Sequence, residues 1–170
     1  MIRSLSALYM TVLLAACVSL SSVPSLDQAA QSGFFFTITD ADGYDCQEGT
    51  VRLVVWTKAT FDCPGWRLTG SLDASGSNID VEINGMRRIF RECTSDSDRV
   101  PAVYRECVRL SEGKYRLTLH SGKQRTERFV VTVINTGTTA RINFEHEREH
   151  QQPYTFTPEP RTATVERRLP

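Results

Sequence analysis

Asn78-Ile79-Asp80-Val81-Glu82-Ile83-Asn84 alternates apolar and polar side chains without a break. A period of two sends successive side chains to opposite faces of an extended chain, so Ile79, Val81 and Ile83 face a core while Asp80, Glu82 and Asn84 face water. The same period recurs on both sides of this stretch. It carries Phe34, Phe36 and Ile38 in GFFFTIT, and Tyr115, Leu117 and Leu119 in KYRLTLH. It returns at Phe129, Val131 and Val133, and at Ile142 and Phe144 against Arg141, Asn143 and Glu145. Val51 to Thr57, VRLVVWT, is apolar on both faces and reads as the most buried strand, with Arg87-Arg88-Ile89-Phe90 as a separate edge strand. Turn signals at Ala41-Asp42-Gly43, Pro64-Gly65, Ser75-Gly76, Asn84-Gly85, Ser121-Gly122 and Thr136-Gly137 separate the runs, and Asn84-Gly85 reads as a tight hairpin. No window sustains a 3.6-residue period, which predicts little helix. The pattern predicts an all-β domain, a β-sandwich of about seven or eight antiparallel strands.

The N-terminal segment MIRSLSALYMTVLLAAC has one basic residue, Arg3, ahead of a largely apolar run from Leu5 to Ala16. That run is the length of a signal-peptide core and too short to span a bilayer, which needs about 20 apolar residues. It ends in Leu14-Ala15-Ala16-Cys17, which resembles the lipobox of bacterial lipoproteins. The resemblance implies cleavage after residue 16 and a covalent lipid, such as palmitate within a diacylglycerol, on Cys17. Two acyl chains suffice for stable anchoring. The alternative is an ordinary secretory signal cut nearby. Val18 follows the cysteine where an aspartate would signal inner-membrane retention, which points to the outer membrane of a bacterial cell envelope. Residues 18 to 32, VSLSSVPSLDQAAQS, read as a flexible tether with a mean reach near 20 Å.

Setting Cys17 aside leaves Cys46, Cys63, Cys93 and Cys107, an even number in an exported chain. Two disulfides are expected, Cys46 with Cys63 and Cys93 with Cys107, because each closes a short loop. A zinc site would show close pairs such as C-x-x-C, which these spacings lack.

Cleavage removes Arg3 and no acid, leaving 19 basic against 20 acidic side chains and no basic excess for nucleic-acid binding. The domain is placed at residues 33–150, after the signal peptide (1–16) and tether (17–32), with residues 151–170 as an extended C-terminal arm interrupted by Pro153, Pro158, Pro160 and Pro170. Within it, GKYRLTLHSGKQRTERFVVTVINTGTTARINFE resembles the last strands of Ig-like β-sandwiches of the transthyretin-like, carboxypeptidase-regulatory family. Gly113, Tyr115, Leu117, Leu119, Val131, Val133, Gly137 and Phe144 carry the match. The resemblance implies a binding or spacer module without catalysis.

Three constellations are candidate sites. His146-Glu147-Arg148-Glu149-His150 matches H-E-x-x-H, the zinc-hydrolase spacing that needs both imidazoles on one helix face. Here it follows a strand, and Pro153 ends any helix within a turn, so a charged strand end is the preferred reading. Asp40, Asp42 and Asp45 in an acidic turn are candidate calcium ligands, with Asp96 and Asp98 as further oxygens; a plain connection is the simpler reading. Tyr44, Trp66 and Tyr104 are candidate stacking rings for a glycan, against packing in the body. The sequence thus predicts a non-enzymatic envelope lipoprotein, held to the membrane by its lipid and binding another envelope protein. A glycan- or calcium-dependent module is the alternative, and a zinc hydrolase the distant third.

Overall fold

The computed structural model describes residues 24–41, 46–47, 49–61, 65–89, 99–122, 125–135, 139–147 and 155–166. Helix α1 (Leu26–Ser32) is followed by β1 (Phe34–Asp40), β2 (Val51–Phe61), β3 (Trp66–Ser75), β4 (Asn78–Arg88) and β5 (Val100–Val108). Then come β6 (Gly113–Ser121), β7 (Arg125–Asn135), β8 (Thr139–His146), β9 (Phe156–Pro158) and β10 (Thr162–Glu166). The ten strands form one curled sheet in the order β10-β8-β7-β6-β4-β3-β5-β2-β1-β9. The fold is all-β, as the period-two runs predict.

Those runs supply the core. Phe34, Phe36, Ile38, Ile79, Val81, Ile83, Leu117, Leu119, Phe129, Val131, Val133, Ile142 and Phe144 are all buried in one cluster. Curling brings strands far apart in the sheet into contact: the Phe36 ring on β1 meets Phe129 on β7 at 4.8 Å and Phe144 on β8 at 5.3 Å, both edge-on.

Several local expectations are corrected. VRLVVWT is not buried on both faces: Val51, Leu53, Val55 and Thr57 face the core, whereas Arg52, Val54 and Trp56 are half-buried on the outside. Asn84-Gly85 is no turn but part of β4, which continues through Arg87 and Arg88 instead of leaving them in a separate strand. The hairpin turns at Gly76-Ser77, where Gly76 takes a φ of +58°. Gly85 and Gly70 serve close approach instead, at the register shift between Thr69 and Gly70. A Cβ on Gly70 would lie 2.1 Å from the Glu82 carbonyl oxygen, so only glycine lets the two backbones pass there.

The tether and the arm are also corrected. Residues 26–32 form a helix with a capping box: the Gln28 N–H donates to Ser25 Oγ at 3.3 Å and the Ser25 N–H to Gln28 Oε1 at 3.1 Å. Ala29 is fully buried, so α1 belongs to the body and closes one end of the curled sheet. The C-terminal segment is not free either. β9 pairs parallel with β1 and β10 antiparallel with β8, at opposite edges of the sheet. Only residues 159–161 join them, so the two edges meet, stitched by bonds from Glu159 N–H to the Phe36 carbonyl and from Phe144 N–H to the Arg161 carbonyl. The body runs from the Ser25 cap to Glu166, beyond the expected 33–150.

The disulfide joins Cys46 to Cys107, with 5.7 Å between their Cα atoms, and replaces both expected pairs. The cause is β5, a strand that is not among the period-two runs of the sequence. As a strand beside β2 it sets Cys107 opposite Arg52, next to the β1–β2 connection that holds Cys46. Cys63 and Cys93 lie outside the described residues.

Candidate functional site

A bonded polar cluster fastens the C-terminal segment. Glu127 on β7 accepts the Thr155 N–H on Oε1 at 2.6 Å and the Phe156 N–H on Oε2 at 3.2 Å. Arg125 Nη1 donates to Thr155 Oγ1 at 3.1 Å and to the Ala30 carbonyl at 3.4 Å, tying the same point to α1. His146 at the end of β8 holds Nε2 3.7 Å from Glu127 Oε2, and its ring stands edge-on to Phe129 at 4.8 Å. The N–H groups of Thr155, just ahead of β9, and of Phe156, its first residue, find their acceptor in one carboxylate, the role a capping residue plays for a helix. Glu127→Ala is expected to cost about 3 kcal/mol and to deprotect the Thr155 and Phe156 amides first in hydrogen exchange. Unchanged protection of those two amides would contradict the role.

The expected sites fare differently. In the H-E-x-x-H stretch, His146 turns toward Glu127 and Phe129, while Glu147 turns to Arg116, 3.3 Å away. Consecutive residues of an extended chain face opposite ways, so these two do not converge on one ion as they would on a helix. His150 lies outside the described residues, as do Asp42, Asp45, Asp96, Asp98, Tyr44 and Cys17. Asp40 closes β1, half-buried.

Of the stacking candidates, Trp66 is half-buried and its ring lies 6.1 Å from Phe61. Tyr104 is corrected: it is 6% exposed and part of the core, so it offers no platform to a glycan. Burial, with Glu106 nearby, pushes its phenol from 10.0 up to about 12, and its hydroxyl has no hydrogen-bond partner among the described residues. The folded state therefore holds this proton more tightly than the unfolded chain. That contribution is full below pH 10.0 and is lost as pH rises through about 12. Tyr104→Phe is expected to remove this alkaline loss and to be neutral or stabilising at neutral pH. Urea midpoints compared at about pH 9 and about pH 11.5 check it, and an equal alkaline drop in both proteins would contradict it.

Two surface features were not legible as sites. A groove of about 700 Å³ lies between α1 and the β6–β7 turn, lined by Asp27, Gln31, Asn84, Ser121 and Arg125. The other is the outer face of β1, β2, β5 and the first half of the β3–β4 hairpin. Register places Thr157, Phe35, Trp56, Val103, Arg67 and Arg87 side by side across six consecutive strands. Phe35 and Trp56 sit 5.8 Å apart, and Lys58 Nζ lies 5.0 Å over the Phe35 ring while donating to Thr157 Oγ1 at 2.8 Å. Arg105 stands opposite Val54 in the next row.

One stretch of the sheet has no second strand partner among the described residues. Beyond the single Arg67–Val103 pair, β3 is partnered only by β4 among the described residues, which leaves one side of Ser71 to Ser75 open. Comparison with protein-family models, with curated proteins and with solved structures finds no match to this chain.

Proposed function

We propose that this protein is a bacterial cell-envelope lipoprotein, anchored through acylated Cys17 at the outer membrane, whose β-body binds another envelope protein without catalysis. Support for the anchor is the Leu14-Ala15-Ala16-Cys17 motif behind its short apolar run. In this reading the body is a two-layer sandwich of transthyretin-like kind, with β9, β1, β2 and β5 facing β6, β7, β8 and β10. The packing of Phe36 on Phe129 and Phe144 supports that arrangement.

The observation that carries the binding role is that, among the described residues, one side of Ser71 to Ser75 on β3 has no strand partner. Both ends of the sheet are used up by β9 and β10, so the C-terminal segment serves this chain's own sheet. Ser71-Leu72-Asp73-Ala74-Ser75, by contrast, is mostly exposed and offers main-chain groups to an incoming strand. Counted from the two-residue turn Gly76-Ser77, Leu72 and Ala74 are non-hydrogen-bonded positions whose N–H groups point away from β4.

Ala74→Pro therefore removes an outward donor and spares the β3–β4 ladder. Gentle detergent extraction of the full chain from its native membrane, followed by intact mass and identification of companions, tests the proposal. The expected result is a mature N-terminus at acylated Cys17 and one defined companion that is lost from folded Ala74→Pro. An unacylated chain overturns the anchor, and a companion retained by Ala74→Pro overturns the edge.

A further inference from the structure

The chain has 20 basic and 20 acidic side chains, yet the outer faces of its sheet do not share them evenly. On β4, β6, β7 and β8 the outward residues mix signs, Asp80, Glu82 and Glu145 with Arg116, Arg128 and Arg141. On the face of β1, β2, β5 and the first half of the β3–β4 hairpin, the outward charges are Arg52, Lys58, Arg67, Arg87 and Arg105, with no carboxylate at these outward positions among the described residues. The middle of that face is the half-buried row Phe35, Trp56 and Val103, and the row from Thr157 to Arg87 crosses five strand spacings, about 24 Å.

Position adds to composition. The Lys58 N–H donates to the carbonyl of Gly33, the residue that joins α1 to β1. The aromatic row therefore lies beside the α1–β1 junction, and the seven residues of α1 carry the chain from there back to the Ser25 cap. Residues 18–24 alone separate Cys17 from the Ser25 cap, a span of at most about 28 Å.

We propose that this face docks on an anionic phospholipid surface, with Trp56 and Phe35 at headgroup level and Arg67, Arg87, Arg105 and Lys58 against lipid phosphates. Trp and Phe beside Lys and Arg suit the interface, where ring faces replace headgroup contacts and cations are drawn to anionic lipid. The inference rests on the anchored reading above, because a short acylated segment keeps the body within reach of the bilayer and lets weak contacts hold it in one orientation. Function follows from geometry: with this face down, the open side of β3 is held at a fixed height and angle for its partner.

The test uses the full chain purified from membranes, carrying Trp66→Phe so that Trp56 is the one tryptophan of the two that reports. It is placed with vesicles of neutral phosphatidylcholine, or of phosphatidylcholine with about a third phosphatidylglycerol. Trp56 emission is expected to shift to the blue and to be quenched by brominated lipid on the anionic vesicles only. The change should be lost in high salt. Arg67→Glu with Arg105→Glu is expected to weaken the response by on the order of tenfold or more, whereas Arg128→Glu on the other face leaves it in place. Circular dichroism confirms that each variant is folded, and the salt dependence of the unreversed protein tests the idea without any charge reversal.

An acylated chain whose Trp56 responds equally to both vesicles, or loses its response through Arg128→Glu alone, overturns the docking face. Intact mass reports the acyl groups separately. An unacylated chain that still answers to anionic vesicles overturns the anchor and supports the face.

Discussion

Phe156→Ala is expected to destabilise the protein by about 3–5 kcal/mol, a large share of the roughly 5–15 kcal/mol that holds a domain folded. Phe156 is fully buried and stacks on Phe34 at 5.0 Å, although it belongs to a strand of only three residues. So short a strand is held less by its ladder than by this ring and by the Glu127 carboxylate just before it. Truncation leaves a cavity under β1 and loosens the segment that joins the two edges of the sheet. The urea midpoint should fall, and the amides of β1 and β10 should exchange together, since residues 159–161 link the two. A midpoint shift under about 0.5 kcal/mol would mean that the C-terminal segment is not part of the cooperative body.

Cys46→Ser with Cys107→Ser is expected to cost about 4 kcal/mol, because the bond closes a loop with a sequence separation of 61. The pair expected from spacing, Cys93 with Cys107, would close a much shorter loop worth about 3 kcal/mol. Reducing agent should lower the unfolding midpoint of the parent protein by more than that of the double variant. A non-reducing peptide map supplies the independent check: a fragment linking Cys46 and Cys107 is expected. One linking Cys46 to Cys63 would restore the local pairing and remove the restraint between the β1–β2 connection and β5.

Both effects come from elements that were hard to read along the chain. β5 is written VPAVYRECV, with Ala102, Tyr104 and Val108 on the core side, but Pro101 and the charges at Arg105 and Glu106 hide the alternation. β3, WRLTGSLDAS, buries only Leu68 outright, and its far half pairs with β4 alone among the described residues. α1 spans seven residues, too few to display a helical period, and its one local sign was the Ser25 to Gln28 capping box. Candidate sites were legible as chemistry but not as geometry. His146 and Glu147 matched a metal-binding spacing, and their strand turns them to opposite sides. Tyr104 looked available for stacking, and a strand that the sequence did not reveal buries it.

By itself the sequence determined the all-β class and the inward residues of β1, β4, β6, β7 and β8, because side-chain alternation is a local property of an extended backbone. It also set the Leu14-Ala15-Ala16-Cys17 stretch on which the proposed anchor rests, and the cysteine count. Only the tertiary structure decided which strands are neighbours, and with them the Cys46–Cys107 bond and the closing of both sheet edges by the C-terminal segment. The aromatic and basic row from Phe35 to Arg87 was decided there as well, since its members come from β1, β2, β5, β3 and β4. Such features join residues far apart in sequence, and the register that aligns them is set by packing across the whole sheet.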